Sequence, residues 1–364
     1  MRPTAALAVA VLLLNTMCAS RSAGPAADAV APAYTTQGGE LPVGVIPAGV
    51  INDDARGRRI DLTIEYPIAE GSYPVIIFST GFGVPSRTYV GLSSYWATFG
   101  YVVIKVGHLE TKPDAADVAA AWAGQTPADW QQRVRDVKFV IDSLPRIQEL
   151  YPELKGKMDP EKIGVGGHSY GAFVAMLIAG AKTFSNGVAT SYADPRVKAV
   201  IAMSPQGPSE SRGLTTESWR EVRIPIMYMT GSSDVGMNES ENEPWRRQAY
   251  ELSPAGDKWW VSIAGAGHLS FTGRMAAPVV TETMEPSMPV EPRDPRDPRR
   301  QPYPQPTGTM PRRVDTGFYG DRQLLNVVRT VSAAFWDAYL KNEPGGREYL
   351  SKLNTRGDMT VETK

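Results

Sequence analysis

Ser169 is the residue of this chain whose neighbours best suit a nucleophile. It is the centre of a Gly-x-Ser-x-Gly pattern at residues 167–171, which follows a short apolar run and precedes an alanine-rich one. In a tight strand-to-helix turn of this kind, a Cβ at either glycine would collide with the neighbouring backbone, and the turn lifts the serine hydroxyl clear of the sheet. The pattern predicts a serine that attacks an electrophilic carbon.

A serine hydroxyl needs a base to accept its proton, and the chain has three histidines. His268 is the strongest candidate, because a glycine-containing loop places it directly after a predicted strand. His168 lies inside the serine turn with its side chain directed away from the reacting face, so we interpret it as packing and hydrogen-bonding support. His108 follows another strand at the same sheet edge; it is a candidate for pocket lining and an alternative base.

The base usually needs an acid to orient it, and Asp234 is the candidate. It ends a short turn after a predicted strand and lies between Ser169 and His268 in the sequence. Taken alone, an aspartate after glycine and serine would be interpreted as a turn cap. Asp136, on a predicted helix and flanked by arginines, is interpreted as a structural ion-pair member instead.

Acyl transfer also needs two N–H donors for the oxygen that becomes negative in the transition state. The residue after the nucleophile, Tyr170, is expected to supply one. The glycine-rich loop at 79–83 is expected to supply the other from the backbone of Phe82. The alternative for this loop is a simple glycine turn.

The elements that must position these residues alternate along the chain. Strands are predicted at 60–66, 75–78, 101–106, 197–203, 224–229 and 259–263 and before Ser169, and helices at about 87–99, 128–144, 169–182, 243–252 and 321–340. The alternation predicts an α/β fold with a mostly parallel central sheet and helices on both faces. No insert of cap-domain size precedes the strand at 224–229, so we expect no large cap domain and a fairly open site.

Two further residues are candidates for pocket lining. Thr80 lies in the predicted N–H donor loop, and Trp259 lies in the strand before His268. Because side chains alternate along a strand, only one of Trp259 and Trp260 can face the pocket.

Composition and the N-terminal segment limit the classes of protein to which this chain can belong. The 364 residues carry 38 basic and 39 acidic side chains, a net charge of -1, which gives no field that would attract nucleic acid. Residues 1–27 have the layout of a secretory signal peptide, with Arg2 before an apolar run and small residues after it, so export to the periplasm, the cell envelope or the medium is predicted. The chain's one cysteine, Cys18, is an alternative lipidation site, the one predicted link to a membrane, against ordinary cleavage between Ser20 and Ala27.

The remaining boundaries follow from composition. Residues 28–42 are predicted to be a flexible lead-in, 43–345 a single catalytic domain and 346–364 a C-terminal tail. Residues 277–313 contain ten prolines and cannot form regular helix or central strand, so we predict a long loop inserted in the domain. A surface insertion and a flap over the site both stay open for this loop.

Three segments carry a resemblance to known proteins: residues 73–83, residues 100–106 and residues 159–172. Together with the order Ser, Asp, His, they resemble the α/β-hydrolase superfamily. Within it they are most similar to the platelet-activating-factor acetylhydrolases and the esterases related to dienelactone hydrolase, cutinase-like polyesterases included. The resemblance covers about 43–272 and 315–345 and implies a serine esterase without metal or organic cofactor. Thr80, where the family usually has histidine, and the insertion 277–313 depart from it.

We therefore predict a serine hydrolase that cleaves small-molecule or polymeric carboxylic esters through an acyl-enzyme intermediate. An amidase or an acyltransferase would use the same three side chains, so the motifs do not separate these activities. A catalytically silent binding protein on the same scaffold is the alternative from another class, and the complete Ser-Asp-His set argues against it.

Overall fold

The computed structural model describes residues 34–108, 121, 124–236, 239–272, 318–353 and 358–364. Their centre is a nine-stranded sheet, with a separate two-stranded hairpin beside it. The sheet strands are β1 Val43–Asp53, β2 Arg58–Pro67, β3 Tyr73–Ser79, β4 Val102–Gly107, β5 Met158–His168, β8 Val197–Met203, β9 Ile226–Ser233, β10 Lys258–Gly267 and β11 Met359–Thr363, and the hairpin strands are β6 Lys182–Ser185 and β7 Val188–Ser191.

The strand order is β1-β2-β4-β3-β5-β8-β9-β10-β11, and its six middle strands run parallel. The two strands at one edge, β1 and β2, and the strand at the other, β11, pair antiparallel with their neighbours. A mostly parallel sheet confirms the predicted fold class. Its carboxyl edge is where the turns that follow β3, β5, β9 and β10 come together.

Helices cover both faces of the sheet, because its middle strands are apolar on both sides. Four helices pack on one face of the sheet and form the first core with it: α2 Pro127–Asp142, α3 Leu144–Leu150, α4 Tyr170–Ile178 and α5 Glu243–Glu251. Three helices pack on the opposite face and form the second core: α1 Val90–Thr98, α6 Phe318–Trp336 and α7 Pro344–Lys352. Trp259 belongs to the second core and Trp260 to the first, as strand alternation requires.

The chain ends are built into the domain more firmly than predicted. The expected tail at 346–364 contains most of α7 and all of β11, whose pairing with β10 extends the sheet. The lead-in was predicted to be flexible as far as residue 42, but Tyr34 is buried and its hydroxyl donates to the carboxylate of Asp337, 2.9 Å away. Both predictions were wrong because single apolar or aromatic residues in these segments have long-range partners.

The segment between β8 and β9, residues 204–225, contains one short 3-10 turn and no cap domain, as predicted. Within the described ranges, every helix is too short or too polar to cross a lipid bilayer. The predicted signal peptide at 1–27, Cys18 and the proline-rich insertion at 277–313 lie outside the described residues.

Candidate active site

Ser169 lies in a strained turn between β5 and α4. Its backbone has φ 56° and ψ −116°, a combination that residues other than glycine rarely adopt. A Cβ on Gly167 would lie 2.1 Å from the carbonyl oxygen of Gly171, and one on Gly171 would lie 1.9 Å from that of Ser79. Both glycines are therefore required by close backbone approach, as the sequence pattern predicted.

The structure brings together the three residues predicted as nucleophile, base and acid. The Ser169 hydroxyl oxygen lies 2.9 Å from Nε2 of His268, and Nδ1 of His268 lies 2.8 Å from Oδ1 of Asp234. Each residue follows the end of a different parallel strand: β5, β10 and β9, respectively. We call this arrangement the Ser169 set. Its distances allow proton transfer from the hydroxyl to the imidazole with the carboxylate behind it.

Asp234 is fully buried and is held from several sides. The Thr230 hydroxyl donates to its Oδ2 at 2.7 Å, and the guanidinium of Arg246, on α5, lies 3.2 Å from its Oδ1. Burial alone would raise the pKa of this carboxyl group. The hydrogen bond from His268 and the charge of Arg246 outweigh burial and lower it to about 2, so Asp234 is ionised at neutral pH.

A hydrogen-bond chain joins the 79–83 loop to the backbone of His268. The N–H of Gly81 donates to the Tyr89 hydroxyl, which lies 2.9 Å from Nδ1 of His168, while Nε2 of His168 lies 2.8 Å from the His268 carbonyl oxygen. A carbonyl only accepts, so Nε2 carries the proton and Nδ1 accepts from the tyrosine. Burial lowers the pKa of His168 to about 3, which keeps the ring neutral. His168 is thus the supporting residue that the sequence predicted.

A second Ser-His-Asp arrangement lies beside the first. The Ser79 hydroxyl is 2.9 Å from Nε2 of His108, whose Nδ1 is 3.0 Å from Oδ2 of Asp136. Arg58 binds Asp136 through two nitrogens, at 2.7 and 2.8 Å, and Arg56 adds a contact at 2.9 Å. We call these three residues the Ser79 set. Arg56 lies in the β1–β2 turn and Arg58 begins β2, and together they make Asp136 the structural ion-pair member that the sequence indicated.

A cavity of about 230 Å³ opens over Ser169 and His268. Arg246 and Glu241 contribute to one side of it. Its mouth is apolar, since the side chains of Val235 and Leu269 stay 45% and 69% exposed there. These two residues directly follow Asp234 and His268, so the chain that supplies the acid and the base also supplies the apolar rim.

Three predictions of pocket lining were wrong. His108 has a side chain only 1% exposed and turns toward Ser79 and Asp136. Thr80 is buried and its hydroxyl donates to the carbonyl of Val106. Trp259 lies in the core on the far face of the sheet, where its indole N–H donates to Tyr339. None of these side chains is among the described residues that line the cavity.

The two residues predicted to donate backbone N–H groups lie on either side of Ser169. Phe82 lines the cavity, and Tyr170 is the first residue of α4. Their rings pack edge to face with centroids 6.1 Å apart. As the first residue of α4, Tyr170 has its N–H in the first turn of the helix, where the helix dipole favours negative charge.

Arg246, Tyr89 and Arg133 also belong to this region, although none of them was predicted as a site residue. Arg246 and Tyr89 give no local signal: Arg246 reaches the carbonyl of Asp234 from α5, and Tyr89 accepts from Gly81 across a separation of eight residues. Arg133 could have been found, since its spacing of three from Asp136 puts both side chains on one face of α2. Among the residues that the structure describes, no group of three or more His, Cys, Asp or Glu side chains is arranged to hold a metal ion.

Comparison with known proteins bears on the part of the chain that contains Ser169. Residues 36–212 match a protein-family model described as Chlorophyllase, an α/β-hydrolase-type esterase family. The match includes the 79–83 loop and Ser169 but ends before Asp234 and His268. No curated protein is significantly similar to the chain. The family match, which covers just under half of the chain, and the mostly parallel nine-stranded sheet are consistent with an α/β-hydrolase fold and support a hydrolase acting on esters.

Proposed function

We propose that this protein is a serine carboxylic ester hydrolase that works through an acyl-enzyme intermediate. The observation that carries the proposal is the unbroken hydrogen-bond chain Ser169–His268–Asp234 at the floor of a cavity with an apolar mouth. The strained backbone of Ser169 supports it further, because such strain is retained where function needs it.

In the first half of the reaction, Nε2 of His268 accepts the Ser169 proton while the serine oxygen attacks the ester carbonyl carbon. The carbonyl oxygen becomes an oxyanion that accepts from the N–H groups of Phe82 and Tyr170. Asp234, ionised and buried, stabilises the imidazolium and fixes its orientation. The intermediate then collapses, the carbon–oxygen bond to the alcohol breaks, and the alcohol leaves with the proton from Nε2.

In the second half, water takes the place of the alcohol. His268 accepts a proton from that water, and the resulting hydroxide attacks the acyl carbon to form a second tetrahedral intermediate. This intermediate collapses with release of the carboxylic acid, and Nε2 returns its proton to Ser169. The cycle consumes one ester and one water and leaves the enzyme unchanged.

The substrate we propose is an ester with a small apolar group beside the scissile bond. The supporting features are the cavity of about 230 Å³ and its rim of Val235 and Leu269. Burial of such a group against these side chains contributes roughly 25 cal/mol per Å² of apolar surface removed from water. The family description names chlorophyllase, and chlorophyll is accordingly one member of the test panel rather than the expected best substrate.

The deciding experiment treats the purified protein with a fluorophosphonate probe and then measures hydrolysis of matched ester and amide series of increasing acyl length. Ser169→Ala and His268→Ala remove the proposed nucleophile and base. Ser79→Ala is the matched control, because Ser79 also bonds a histidine but is buried.

We expect labelling of the wild type and of Ser79→Ala, none of Ser169→Ala, and esters cleaved faster than amides of the same acyl group. Full esterase activity in Ser169→Ala would contradict the mechanism. Faster cleavage of the amides would identify an amidase, and transfer to an added alcohol in preference to water would identify an acyltransferase.

A further inference from the structure

Arg133, on α2, contacts Tyr170, one of the two proposed oxyanion donors, and binds the carbonyls of Thr80 and Gly81, the two residues before the other donor, Phe82. Its side chain is buried, with the residue only 2% exposed. Nη1 donates to the carbonyl of Thr80 at 2.6 Å and Nη2 to the carbonyl of Gly81 at 3.1 Å. The centre of the guanidinium lies 4.5 Å from the centroid of the Tyr170 ring.

The contact with Gly81 fixes the direction of the next N–H group. The carbonyl of Gly81 and the N–H of Phe82 belong to one planar trans peptide unit, so they point in opposite directions. This carbonyl accepts from Arg133, which holds it turned toward α2, and from the N–H of Val84 in the same loop, 3.2 Å away, which closes a turn around Phe82 and Gly83. The N–H of Phe82 is therefore turned away from α2, and Phe82 itself lines the cavity over Ser169.

The contact with Tyr170 acts on the other donor. A guanidinium stacked on an aromatic face is an attractive pair, stronger when both partners are buried, as here. It fixes the Tyr170 side chain at the start of α4, directly after Ser169. A single planar cation thus spans the gap between the 79–83 loop and the start of α4.

Asp136 secures the same loop from the same helix. It lies three residues after Arg133 and reaches the Ser79 hydroxyl through His108. The loop is therefore held to α2 at its first residue by the Ser79 set and at its next two carbonyls by Arg133. The Ser79 set fixes where the loop begins, while Arg133 fixes how its peptide planes are rotated.

We propose that Arg133 is the positioning residue of the oxyanion hole: it rotates the Gly81–Phe82 peptide so that the Phe82 N–H faces the reacting oxygen, and it holds Tyr170 in register with it. This inference rests on the proposed serine esterase function. It predicts that Arg133 contributes to stabilisation of the transition state and contributes little to substrate binding in the ground state, because the oxyanion exists only in the transition state.

The test compares Arg133→Lys and Arg133→Gln with the control Arg135→Gln, which removes an exposed arginine of the same helix. For each we would measure kcat and KM on one ester, the Ki of a trifluoromethyl ketone that mimics the tetrahedral intermediate, and the thermal midpoint. We expect both Arg133 variants to lose about 10- to 100-fold in kcat, with KM within about threefold and Ki raised by the factor lost from kcat/KM. Arg135→Gln should stay within about twofold of the wild type in all three.

A folded Arg133→Lys with kcat within about threefold of the wild type would overturn the inference, as would a loss that falls on KM and leaves Ki unchanged. Should neither Arg133 variant fold, a crystal structure of the wild type with a phosphonate bound to Ser169 decides. We expect its phosphonyl oxygen within hydrogen-bond distance of the Phe82 and Tyr170 nitrogens, with Arg133 still on Gly81. A phosphonyl oxygen bound elsewhere would overturn this inference but not the proposed function. Failure of the phosphonate to attach to Ser169 would overturn the proposed function.

Discussion

The Ser169 set and the Ser79 set have the same connectivity: hydroxyl to Nε2, and Nδ1 to a buried carboxylate, at nearly equal distances. They differ in exposure and in strain. The His268 side chain is 26% exposed while that of His108 is 1% exposed, and only Ser169 has a positive φ. Connectivity therefore does not distinguish the two sets. Our proposal of a catalytic role for the Ser169 set rests on its accessible histidine and strained serine.

The two acids show the same contrast. Asp234 has one arginine at 3.2 Å and a threonine hydroxyl. Asp136 has two arginines, one of them bidentate. Burial would raise the pKa of Asp136, but the hydrogen bonds from His108 and Arg58 hold it well below the usual range of an aspartate. An acid held so strongly serves to fix structure, whereas the acid of the Ser169 set can respond to a change of charge on its histidine.

The largest expected difference between the sets is in catalysis by the two serines. Ser169→Ala should lower kcat/KM by about 10⁴-fold or more, because the nucleophile is lost, while Ser79→Ala should lower it by no more than about threefold. Steady-state kinetics on a single ester measures both. Comparable losses in the two variants would mean that the sets act as one unit.

Substitution of Asp234 should lower activity, whereas substitution of Asp136 should lower stability. Asp234→Asn should lower kcat by about 10³- to 10⁴-fold, because the histidine loses the carboxylate that orients it. Asp136→Asn should instead lower the free energy of unfolding by about 3 kcal/mol, because Arg56 and Arg58 lose the charge that compensates theirs. Urea unfolding and kcat of each variant test this, and a stable but inactive Asp136→Asn would contradict it.

As pH is lowered, the stability contributed by His168, which supports the Ser169 set, should be lost before the stability contributed by Asp136 of the Ser79 set. The His168 pKa is about 3 in the folded protein and near 6.5 in the unfolded chain, so between these values only the unfolded chain takes up the proton. Stability from this residue is complete above pH 6.5 and falls by about 1.4 kcal/mol per unit as pH decreases. Asp136, whose pKa is depressed, loses its contribution only below about pH 4.

The variant His168→Gln isolates the histidine part of this effect. Glutamine can still donate to the His268 carbonyl and accept from Tyr89, but it does not titrate. We expect the wild type to lose more stability than His168→Gln between pH 6.5 and 4.5 in urea unfolding. Parallel curves for the two proteins over this interval would contradict the assignment of a neutral His168.

The smallest expected effect concerns the anchoring of the Ser79 set. Arg58→Lys keeps the charge next to Asp136 but loses the bidentate geometry, so we expect a loss of about 1 kcal/mol in stability. Because this residue acts on structure alone, kcat should stay within about twofold. A fall in kcat of more than about twofold in the folded variant would indicate that the Ser79 set also affects the position of the reacting groups.

The predictions that the structure bears out rest on local patterns. The strand-turn-helix context of Ser169 and the strand ends before Asp234 and His268 are visible in the sequence, and the parallel sheet brings these ends to one edge. The apolar runs of the middle strands likewise identify the fold. The two glycines of the serine turn were predicted because their requirement is steric and local.

Other features could not be predicted because they depend on contacts between remote segments. His108 was placed at the pocket from its strand end, but its partner Asp136 lies on a helix 28 residues later and turns the ring inward. Strand β11 pairs with β10 although it has only five residues and alternates apolar with polar side chains, since an edge strand needs no continuous apolar run. Arg246 carries no sign in the sequence of the carbonyl groups that it binds, and for Arg133 the sequence shows only that it shares a helix face with Asp136.

The burial of Tyr34 limits how short the segment before the domain can become during maturation. Its ring packs against Phe99 and Tyr349, and its hydroxyl is bonded to Asp337. Cleavage anywhere from Ser20 to Ala27 leaves this contact intact, whereas a cut beyond residue 34 removes it. The sixteen peptide steps from Cys18 to Tyr34 span at most about 55 Å when fully stretched. If the predicted lipid is attached at Cys18, this length is the greatest separation between that anchor and Tyr34.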